Sequence, residues 1–419
     1  MTETNSTKAQ KKSIDWFYYL GLIALAIIIY IYLAATTSLN SITPNQRTIA
    51  FQTESKQPQL SWPNYGAAAI GINNQGVTLT KGSIQQFPMA STAKLLTALV
   101  VLKKYPLQLN QSGPIITINQ SDVAIYNNYL AEEGSVTPVV NGEKISEYQI
   151  LQAMLLPSAD NMADTLAIWA YGSLNNYLSA ANAYLLEHGL TEISLGSDAS
   201  GYNPNSKSTA SDLVLLGELA MKNPVISQIA SLKEVTNYPV AGTIKNINFI
   251  LGQDGINGLK TGNNNQDGGI FIASAKVNLK NKQLPVITAV MGAPSLWYAL
   301  NSSLNLVKSI DQNFVIPNSI SSLFSGTKSI ANYNIGWDHQ VLKTNLANQT
   351  IPPTWTGGSS KVTVNLNNIT FKTKAGSVVG SLKINSTIPS QTTTYNIYLS
   401  SKPKKPPLWW LLLHPKLVL

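Results

Sequence analysis

The first hydrophobic feature of the chain is an uncharged run from Trp16 to Leu33. A helix of this length can span a bilayer. Lys8, Lys11 and Lys12 precede the run, and the next basic residue after it is Arg47. Because basic residues favour the cytoplasmic side, this asymmetry predicts a cytoplasmic N-terminus, with the rest of the chain outside the membrane.

These features predict a cytoplasmic tail over residues 1–15, a transmembrane signal anchor over 16–38 and a polar linker over 39–63. Residues 34–38, Ala-Ala-Thr-Thr-Ser, also resemble a cleavage region. The apolar core of a cleaved signal peptide is usually shorter than this run. A retained anchor is therefore favoured over a removed signal peptide.

Apolar residues in the middle of the chain have the spacing of buried helices. Leu95 to Leu102 is apolar nearly all round, which predicts a helix packed on every side. A second apolar helix is predicted to end before Pro157, and a third to begin soon afterwards. A polar turn over residues 263–269 and a following apolar segment over 270–276 predict a β-hairpin.

The C-terminal part of the chain has a different pattern. Apolar and polar residues alternate from Lys361 to Leu366, as they do in strands, and predict a β-rich domain over residues 315–400. Ala375 to Ile384 is interpreted as a hairpin within that domain.

Residues 401–419 form a basic, tryptophan-rich tail that contains the apolar run Leu408 to Leu413. The run is too short to span a bilayer. Tryptophans with lysines upstream suit a membrane interface, so the segment is a candidate membrane-interface tail. A disordered tail is the equal alternative.

Composition excludes several kinds of chemistry. The chain has 419 residues, which is enough for two domains besides an anchor. It contains no cysteine, and this excludes a cysteine nucleophile and a disulfide framework. Its three histidines, His188, His339 and His414, lack metal-ligand spacing, so we predict no metal and no cofactor.

The net charge of +9 suits anionic envelope polymers or lipid headgroups. No basic stripe or aromatic array predicts nucleic-acid binding.

An S-x-x-K motif at the start of the first buried helix supplies a candidate nucleophile, Ser91, and a base, Lys94. The two residues are one helical turn apart and point the same way. A serine hydroxyl needs a base to take its proton, and burial disfavours the charged form of a lysine. The helix N-terminus would favour the developing alkoxide. An isolated motif is better explained by a helix-capping serine and a surface lysine, but two further motifs reverse that preference.

The second motif, Ser158 with Asp160 and Asn161, lies in the turn between two predicted helices, where a hydroxyl can project into a cleft. The third is the K-T-G at residues 260–262, which occurs once in the chain and precedes the turn of the predicted hairpin. The glycine of K-T-G permits close approach of a substrate strand. An S-x-x-K, S-D-N and K-T-G set is typical of penicillin-binding proteins and class A β-lactamases.

On these residues the chain resembles the D-alanyl-D-alanine carboxypeptidases, the low-molecular-mass penicillin-binding proteins. The resemblance covers roughly residues 64–309. It implies an α+β fold: a penicillin-binding protein/serine β-lactamase-like catalytic domain over residues 64–314, with an antiparallel sheet flanked by helices and a helical subdomain. A small all-β domain would follow. The segments that carry the resemblance are Pro88–Ser91 with Lys94, Leu155–Ser158, Ala181–Asn182 with Gly189–Leu190, Ser208–Leu213 and Gly258–Gly262.

The resemblance implies a penicillin-sensitive serine peptidase that removes the terminal D-alanine from peptidoglycan stem peptides, with β-lactam antibiotics as covalent inhibitors. Ser91 would form the acyl-enzyme and Lys94 would be its base. Ser158 would relay a proton to the departing D-alanine.

Substrate binding would fall to the third motif. Lys260 and Thr261, with Gly262 beside them, would hold the terminal carboxylate of the substrate. The backbone N–H of Asn263 would complete an oxyanion hole with that of Ser91.

The second motif departs from the family pattern, which is usually Ser-x-Asn. Here the third residue is Asp160, and Asn161 follows it. Either Asp160 replaces the asparagine or a reshaped turn presents Asn161, so both are candidate substrate-binding residues. A carboxylate near the two lysines would stabilise their charged forms.

Three alternatives remain at this point. A class A β-lactamase needs a glutamate for deacylation, usually in a Glu-x-x-Leu-Asn setting, and the closest match, Glu192–Gly196, lacks the asparagine. The sequence does not separate a carboxypeptidase from a DD-endopeptidase. Asp160 motivates the third alternative, a catalytically inactive cell-wall-binding protein.

Overall fold

The computed structural model describes residues 4–37, 39, 41–45, 49–51, 58–72, 76–264, 268–279, 282–315, 332–335, 337–338, 340–346, 354–356, 360–387 and 390–415. Helices dominate the region between residues 90 and 310. Within the described residues they are α1 (Thr4–Thr36), α2 (Ala93–Lys104), α3 (Gln120–Ala131), α4 (Glu147–Leu155), α5 (Asp160–Tyr171), α6 (Leu174–Glu187), α7 (Ala210–Lys222), α8 (Pro224–Ala230), α9 (Leu296–Lys308) and α10 (Leu408–Leu412).

The strands lie before, between and after these helices, and they fill the C-terminal part of the chain. They are β1 (Pro44–Asn45), β2 (Ile49–Phe51), β3 (Ala67–Ile72), β4 (Val77–Gly82), β5 (Phe87–Pro88), β6 (Ile115–Thr117), β7 (Lys144–Ser146), β8 (Lys207–Ser208), β9 (Glu234–Tyr238), β10 (Gly242–Lys245), β11 (Ile256–Asn264), β12 (Gly268–Leu279), β13 (Lys282–Ala293), β14 (Phe314–Val315), β15 (Asn332–Ile335), β16 (Gln340–Leu346), β17 (Thr354–Trp355), β18 (Ser360–Leu366), β19 (Val378–Thr387) and β20 (Ser390–Leu399).

A five-stranded antiparallel sheet organises the first domain, with strand order β11-β12-β13-β3-β4. Helix α9 packs on β12 and β13, and helix α7 packs on β3, β13 and β12. The apolar residues of the sheet divide between two cores. One contains Phe271 and Leu300, and the other contains Ile272 and the apolar residues of α2. The expected α+β fold, a sheet flanked by helices with a helical subdomain, is confirmed.

Helix α2 runs through the centre of the helical region. Every residue from Leu95 to Leu102 is buried, as the all-round apolar pattern predicted. The helix contacts α4, α5, α6 and α7. Because α2 is enclosed in this way, the side chain of Lys94 in its first turn is also withdrawn from solvent.

The β-rich C-terminal domain is also present, as a seven-stranded sheet with the order β1-β15-β16-β20-β19-β18-β2. Two of its strands, β1 and β2, come from residues 39–63, which the sequence had indicated to be only a polar linker. Pro44 pairs with Tyr333, and Ile49 pairs with Val362. Strands this short show no alternation, so the apolar pattern could not identify them.

The interpretation of Ala375 to Ile384 as a hairpin was wrong. The turn at Gly376 leads into β19, which then pairs with β20. Gly380 lies inside β19, at a register shift between Val378 and itself. A Cβ at Gly380 would collide with the carbonyl oxygen of Asn365, so this glycine reflects close backbone approach rather than a turn.

Helix α1 contains a segment, Trp16–Thr36, that is long and apolar enough to cross a membrane. Such a helix fits a membrane anchor or a signal sequence.

Of the histidines, His188 and His414 each stack on an aromatic ring one turn earlier, Tyr184 and Trp410. His339 lies outside the described residues.

Glu147 at the start of α4 predicts a pH dependence of stability. Its side chain is fully buried, and neither carboxylate oxygen has a hydrogen-bond partner within the described part of the chain. Burial raises the pKa of Glu147 from 4.5 to about 7. The folded state therefore binds a proton more tightly than the unfolded state. The resulting stabilisation is complete below the unfolded pKa and is lost as pH rises through about 7.

We expect Glu147→Gln to increase the free energy of unfolding at pH 8 by up to about 3 kcal/mol, and to change it little at pH 4. Denaturant unfolding at the two pH values measures the difference. The exposed Glu234→Gln serves as the control. Equal effects of Glu147→Gln at both pH values would contradict the prediction.

Candidate active site

Ser91 and Lys94 lie together at the start of α2. Ser91 is in a single 3-10 turn, Ala90–Thr92, and Lys94 is in the first turn of the helix that follows. Lys94 Nζ is 2.7 Å from Ser91 Oγ. The structure therefore brings the expected nucleophile and its expected base into hydrogen-bond contact.

The Lys94 ammonium has three acceptors. Besides Ser91, Nζ donates to Asp160 Oδ1 at 2.6 Å and to the carbonyl oxygen of Ser200 at 3.1 Å. The other carboxylate oxygen of Asp160 accepts from the backbone N–H of Ser135 at 2.8 Å. Side chains of Lys94 and Asp160 are 0% and 5% exposed, so the ion pair is almost completely removed from water. Asp160 is therefore the charged partner of Lys94 in a site that solvent barely reaches.

The two candidates in the second motif have different hydrogen-bond partners. Asp160 faces Lys94, whereas the Asn161 amide is used by the backbone of Thr137. Asn161 Oδ1 accepts from Thr137 N, and Nδ2 donates to Thr137 O, both at 3.0 Å. Both residues lie in the first turn of α5, where successive side chains point about 100° apart. Substrate binding by Asn161 stays a prediction, and its amide is engaged by the Thr137 backbone.

Ser158 and Lys260 form a second buried hydrogen bond between motifs. Lys260 Nζ donates to Ser158 Oγ at 2.8 Å and to the carbonyl oxygen of Thr261 at 2.9 Å. Ser158 lies between α4 and α5 with a φ of 68°, a left-handed conformation unusual for a residue with a Cβ. Such conformations cost about 1–3 kcal/mol and are concentrated at functional sites.

The electrostatics of Lys260 depend on its neighbours. Burial lowers the pKa of Lys260 well below its usual value, and the positive charge of Lys94 lowers it further. Asp160 acts in the opposite direction. A Lys260 amine without its extra proton can accept a hydrogen bond from Ser158, so this pair can pass a proton in either direction.

The K-T-G segment lies on β11, an edge strand of the five-stranded sheet. Lys260 pairs with Ile272 and Gly262 pairs with Ile270, and both isoleucines belong to the core on the α2 side. A Cβ at Gly262 would lie only 3.3 Å from Ala90 Cβ and from the Met89 carbonyl oxygen, so the missing side chain lets β11 approach the Ser91 turn.

This approach produces one cleft. Ser91, Asp160 and Asn263 line a cavity of about 360 Å³. Lys260 and Thr261 lie on β11, the strand that also carries Asn263, and they are only 1% and 5% exposed. The three expected site residues that line the cavity thus come from three separate regions of the sequence.

Sequence reasoning missed the loop over residues 197–204. Asp198 accepts hydrogen bonds from the backbone N–H groups of Ser200, Gly201 and Tyr202 through one oxygen. This arrangement fixes the Ser200 carbonyl that Lys94 uses. A Cβ at Gly201 would collide with the Ala90 carbonyl, so the glycine is required beside the Ser91 turn. The Asp-x-Ser-Gly turn pattern was the available signal.

Comparisons with known proteins agree with this geometry. A family model described as D-alanyl-D-alanine carboxypeptidase matches residues 55–295. The chain is 29% identical over 217 residues to a D-alanyl-D-alanine carboxypeptidase of Streptomyces sp. strain K15, an alignment that covers 46% of this chain and 72% of that protein. It is 25% identical over 238 residues to D-alanyl-D-alanine carboxypeptidase DacC of Escherichia coli K12, which covers 55% of this chain and 57% of that protein.

Solved structures show the same fold. Penicillin-binding protein 5 from Haemophilus influenzae matches with a TM-score of 0.59 at 20% identity, over 83% of this chain and 98% of that one. The Streptomyces K15 DD-transpeptidase matches with a TM-score of 0.52 at 23% identity, over 61% of this chain and 98% of that one.

Proposed function

The chain belongs to the D-alanyl-D-alanine carboxypeptidase family, and from this premise we propose that it removes the terminal D-alanine from peptidoglycan stem peptides through an acyl-enzyme on Ser91. The observation that carries the proposal is the 2.7 Å contact between Ser91 Oγ and Lys94 Nζ at the wall of a cleft. Release of D-alanine from a synthetic peptide ending in D-Ala-D-Ala tests it. No release by the folded wild-type protein would favour an inactive wall-binding protein.

In the proposed acylation step, neutral Lys94 takes the proton of Ser91 as Oγ bonds to the carbonyl carbon of the penultimate D-alanine. The negative charge that develops on the carbonyl oxygen is stabilised by the backbone N–H groups of Ser91 and Asn263. Ser158 relays the proton taken by Lys94 to the nitrogen of the departing D-alanine, so the peptide bond breaks and Lys94 is neutral again. Water then attacks the ester, Lys94 accepts a proton from the water, and that proton passes to Ser91 Oγ as the ester bond breaks.

Asp160 is proposed to compete with Ser91 for the Lys94 amine, because its carboxylate lies 2.6 Å from Lys94 Nζ in a site almost completely removed from water. We expect Asp160→Asn to move the rise of activity to lower pH without abolishing turnover, because the substitution removes the charge at almost constant shape. The pH profile of kcat/KM measures the shift.

Asp122→Asn, which alters a buried carboxylate in the capping box of α3, is the control for Asp160→Asn. It should leave the profile in place. An unchanged profile in the Asp160 variant would contradict this role of the carboxylate.

Lys260 is proposed to bind the terminal carboxylate of the substrate together with Thr261. An incoming carboxylate would stabilise the ammonium form that burial disfavours. We expect Lys260→Ala to reduce kcat/KM on free-acid peptides by about ten- to a hundredfold, from the loss of a charge-assisted hydrogen bond of about 1.5–3 kcal/mol. The loss should be smaller on C-terminally amidated peptides.

The matched control for Lys260→Ala is Lys276→Ala, which changes an exposed lysine on the neighbouring strand. It should affect neither peptide. Equal losses of the Lys260 variant on amidated and free-acid peptides would mean that Lys260 does not bind the carboxylate.

We further propose that α1 is a retained anchor that places the catalytic domain on the outer side of the cell membrane. The lysines before Trp16 and their absence between Trp16 and Arg47 support that orientation. In this arrangement the catalytic domain spans residues 64–314. The β-rich domain comprises 315–400 together with the short strands of the segment 39–63.

A further inference from the structure

A second cavity lies apart from the catalytic cleft. It has a volume of about 330 Å³ and is lined by residues of helices α7 and α8 and of strands β3, β11, β12 and β13. Among the described residues, none that lines this cavity also lines the cavity beside Ser91. Small-molecule sites usually have volumes of about 300–1,000 Å³. The second cavity is therefore large enough for a ligand of its own.

A buried carboxylate forms part of the wall. Glu218 of α7 is 5% exposed, and the hydrogen bonds of its two oxygens within the described residues come from the backbone N–H of Gly76, each at 3.3 Å. A Cβ at Gly71 would lie 3.0 Å from Glu218 Oε1, so the missing side chain leaves room for the carboxylate. Burial raises the pKa of Glu218. A positively charged group in the cavity would stabilise the ionised carboxylate.

A second acceptor in the wall has no partner. Asn257 Oδ1 is buried and accepts no hydrogen bond within the described part of the chain. Asn257 is the extra residue of a β-bulge, because the pairing of β11 with β12 shifts register between Ile256 and Gly258. Bulges redirect side chains and are frequent beside functional sites. Asn257 lines the same cavity as Glu218, so a ligand with several N–H donors would satisfy both groups.

Positive charge lies beside these acceptors. Lys222 also lines the cavity, one helical turn after Glu218 on α7, and its side chain is exposed. Its charge opposes the effect of burial on the pKa of Glu218. Within the described residues, however, no ion pair joins the two side chains. A carboxylate and an ammonium group that line one cavity without contact suit a ligand that carries both opposite charges.

The rest of the lining favours a small organic ligand. Met221, Pro285 and Ile287 supply apolar surface, and Ser274, which is 4% exposed, supplies a hydroxyl. A bare metal cation fits less well, because Glu218 is the one carboxylate among the described lining residues and the Lys222 charge would repel the ion.

We propose that this cavity binds a small zwitterionic α-amino acid, such as glycine or alanine. The ammonium group of the ligand donates to the Glu218 carboxylate and to Asn257 Oδ1, and its carboxylate faces Lys222. Its side chain contacts the apolar part of the wall. The site is separate from the catalytic cleft, so the proposal does not depend on the peptidase activity.

Equilibrium dialysis of the full-length protein in detergent against radiolabelled glycine, D-alanine and L-alanine tests the proposal. We expect saturable binding of at least one of these amino acids, and we expect the Lys260→Ala variant to retain it. N-acetylalanine, which lacks the ammonium group, should not compete. Alaninamide, which lacks the carboxylate, should compete more weakly than alanine. Binding of none of the amino acids, or equal competition by N-acetylalanine, would overturn the proposal.

Two substitutions in the cavity separate binding from folding. Asn257→Leu replaces a partnerless acceptor with an apolar group of similar shape, so thermal stability should not fall. Glu218→Gln removes the charge at almost constant shape. Each should weaken binding by about ten- to a hundredfold, through loss of a charge-assisted hydrogen bond. The controls are Asn305→Leu on α9 and Glu234→Gln, both at exposed positions, and neither should change the affinity.

Unchanged affinity in folded Asn257→Leu and Glu218→Gln would overturn the proposal. Binding that both variants retain and Lys260→Ala loses would place the amino acid in the catalytic cleft, which also overturns it. If neither cavity variant folds, the exposed Lys222→Met decides the outcome. It should weaken alanine binding by about two- to fivefold and leave alaninamide binding unchanged. Equal effects on the two ligands would contradict the assigned orientation and with it the proposal.

Discussion

Replacing Ser91 with alanine is expected to reduce release of D-alanine by on the order of 10⁴- to 10⁶-fold, the scale of loss when a serine nucleophile is removed. The fold should be unchanged, because Lys94 keeps its bonds to Asp160 and to the Ser200 carbonyl. The measurement is kcat on a peptide ending in D-Ala-D-Ala, with thermal unfolding measured beside it. Ser179→Ala, on the exposed face of α6, is the matched control.

Retained D-alanine release by Ser91→Ala would remove this residue from the mechanism. Loss of both activity and folding would instead mean that the Ser91 turn is structural. The thermal unfolding measurement separates these two outcomes from the expected one.

Replacing Lys94 with alanine is expected to have two large effects. Activity should fall by about 10²- to 10⁴-fold through loss of the general base. Stability should fall by about 3–5 kcal/mol, because the Asp160 carboxylate, which is 5% exposed, is left buried without its partner. Denaturant unfolding and kcat measure the two effects separately.

The double variant Lys94→Met/Asp160→Asn distinguishes the two roles of the lysine. It removes both charges, so stability should recover while activity remains lost. Lys103→Ala is the control, because its ion pair with Glu187 is about half exposed and is screened by solvent. Recovery of activity in the double variant would show that Lys94 is not the base.

Local patterns predicted the parts of the fold that depend on local packing. The apolar run from Leu95 to Leu102 predicted a buried helix. Pro157 predicted the helix boundary at which Ser158 lies beside Lys260. These features follow from residue spacing alone, since an all-round apolar helix must be enclosed and proline ends a helix. The three motifs likewise identified Ser91, Lys94 and Lys260 as candidates.

Contacts between distant segments were not predictable in the same way. The Ser200 carbonyl and the Ser135 N–H reach the site from loops whose composition is typical of ordinary polar turns. The choice between Asp160 and Asn161 depends on the direction in which α5 begins, which spacing does not define. The short strands β1 and β2 gain their stability from the sheet that they join, so their own residues carry little signal.

The most direct test of the central claim, that Ser91 is the acylated nucleophile of a penicillin-sensitive peptidase, is intact-mass spectrometry after incubation with benzylpenicillin. The wild-type protein should gain the mass of one penicillin molecule, and peptide mapping should place it on Ser91, whereas Ser91→Ala should gain nothing. No adduct on the folded wild-type protein, or the same adduct on Ser91→Ala, would contradict the account.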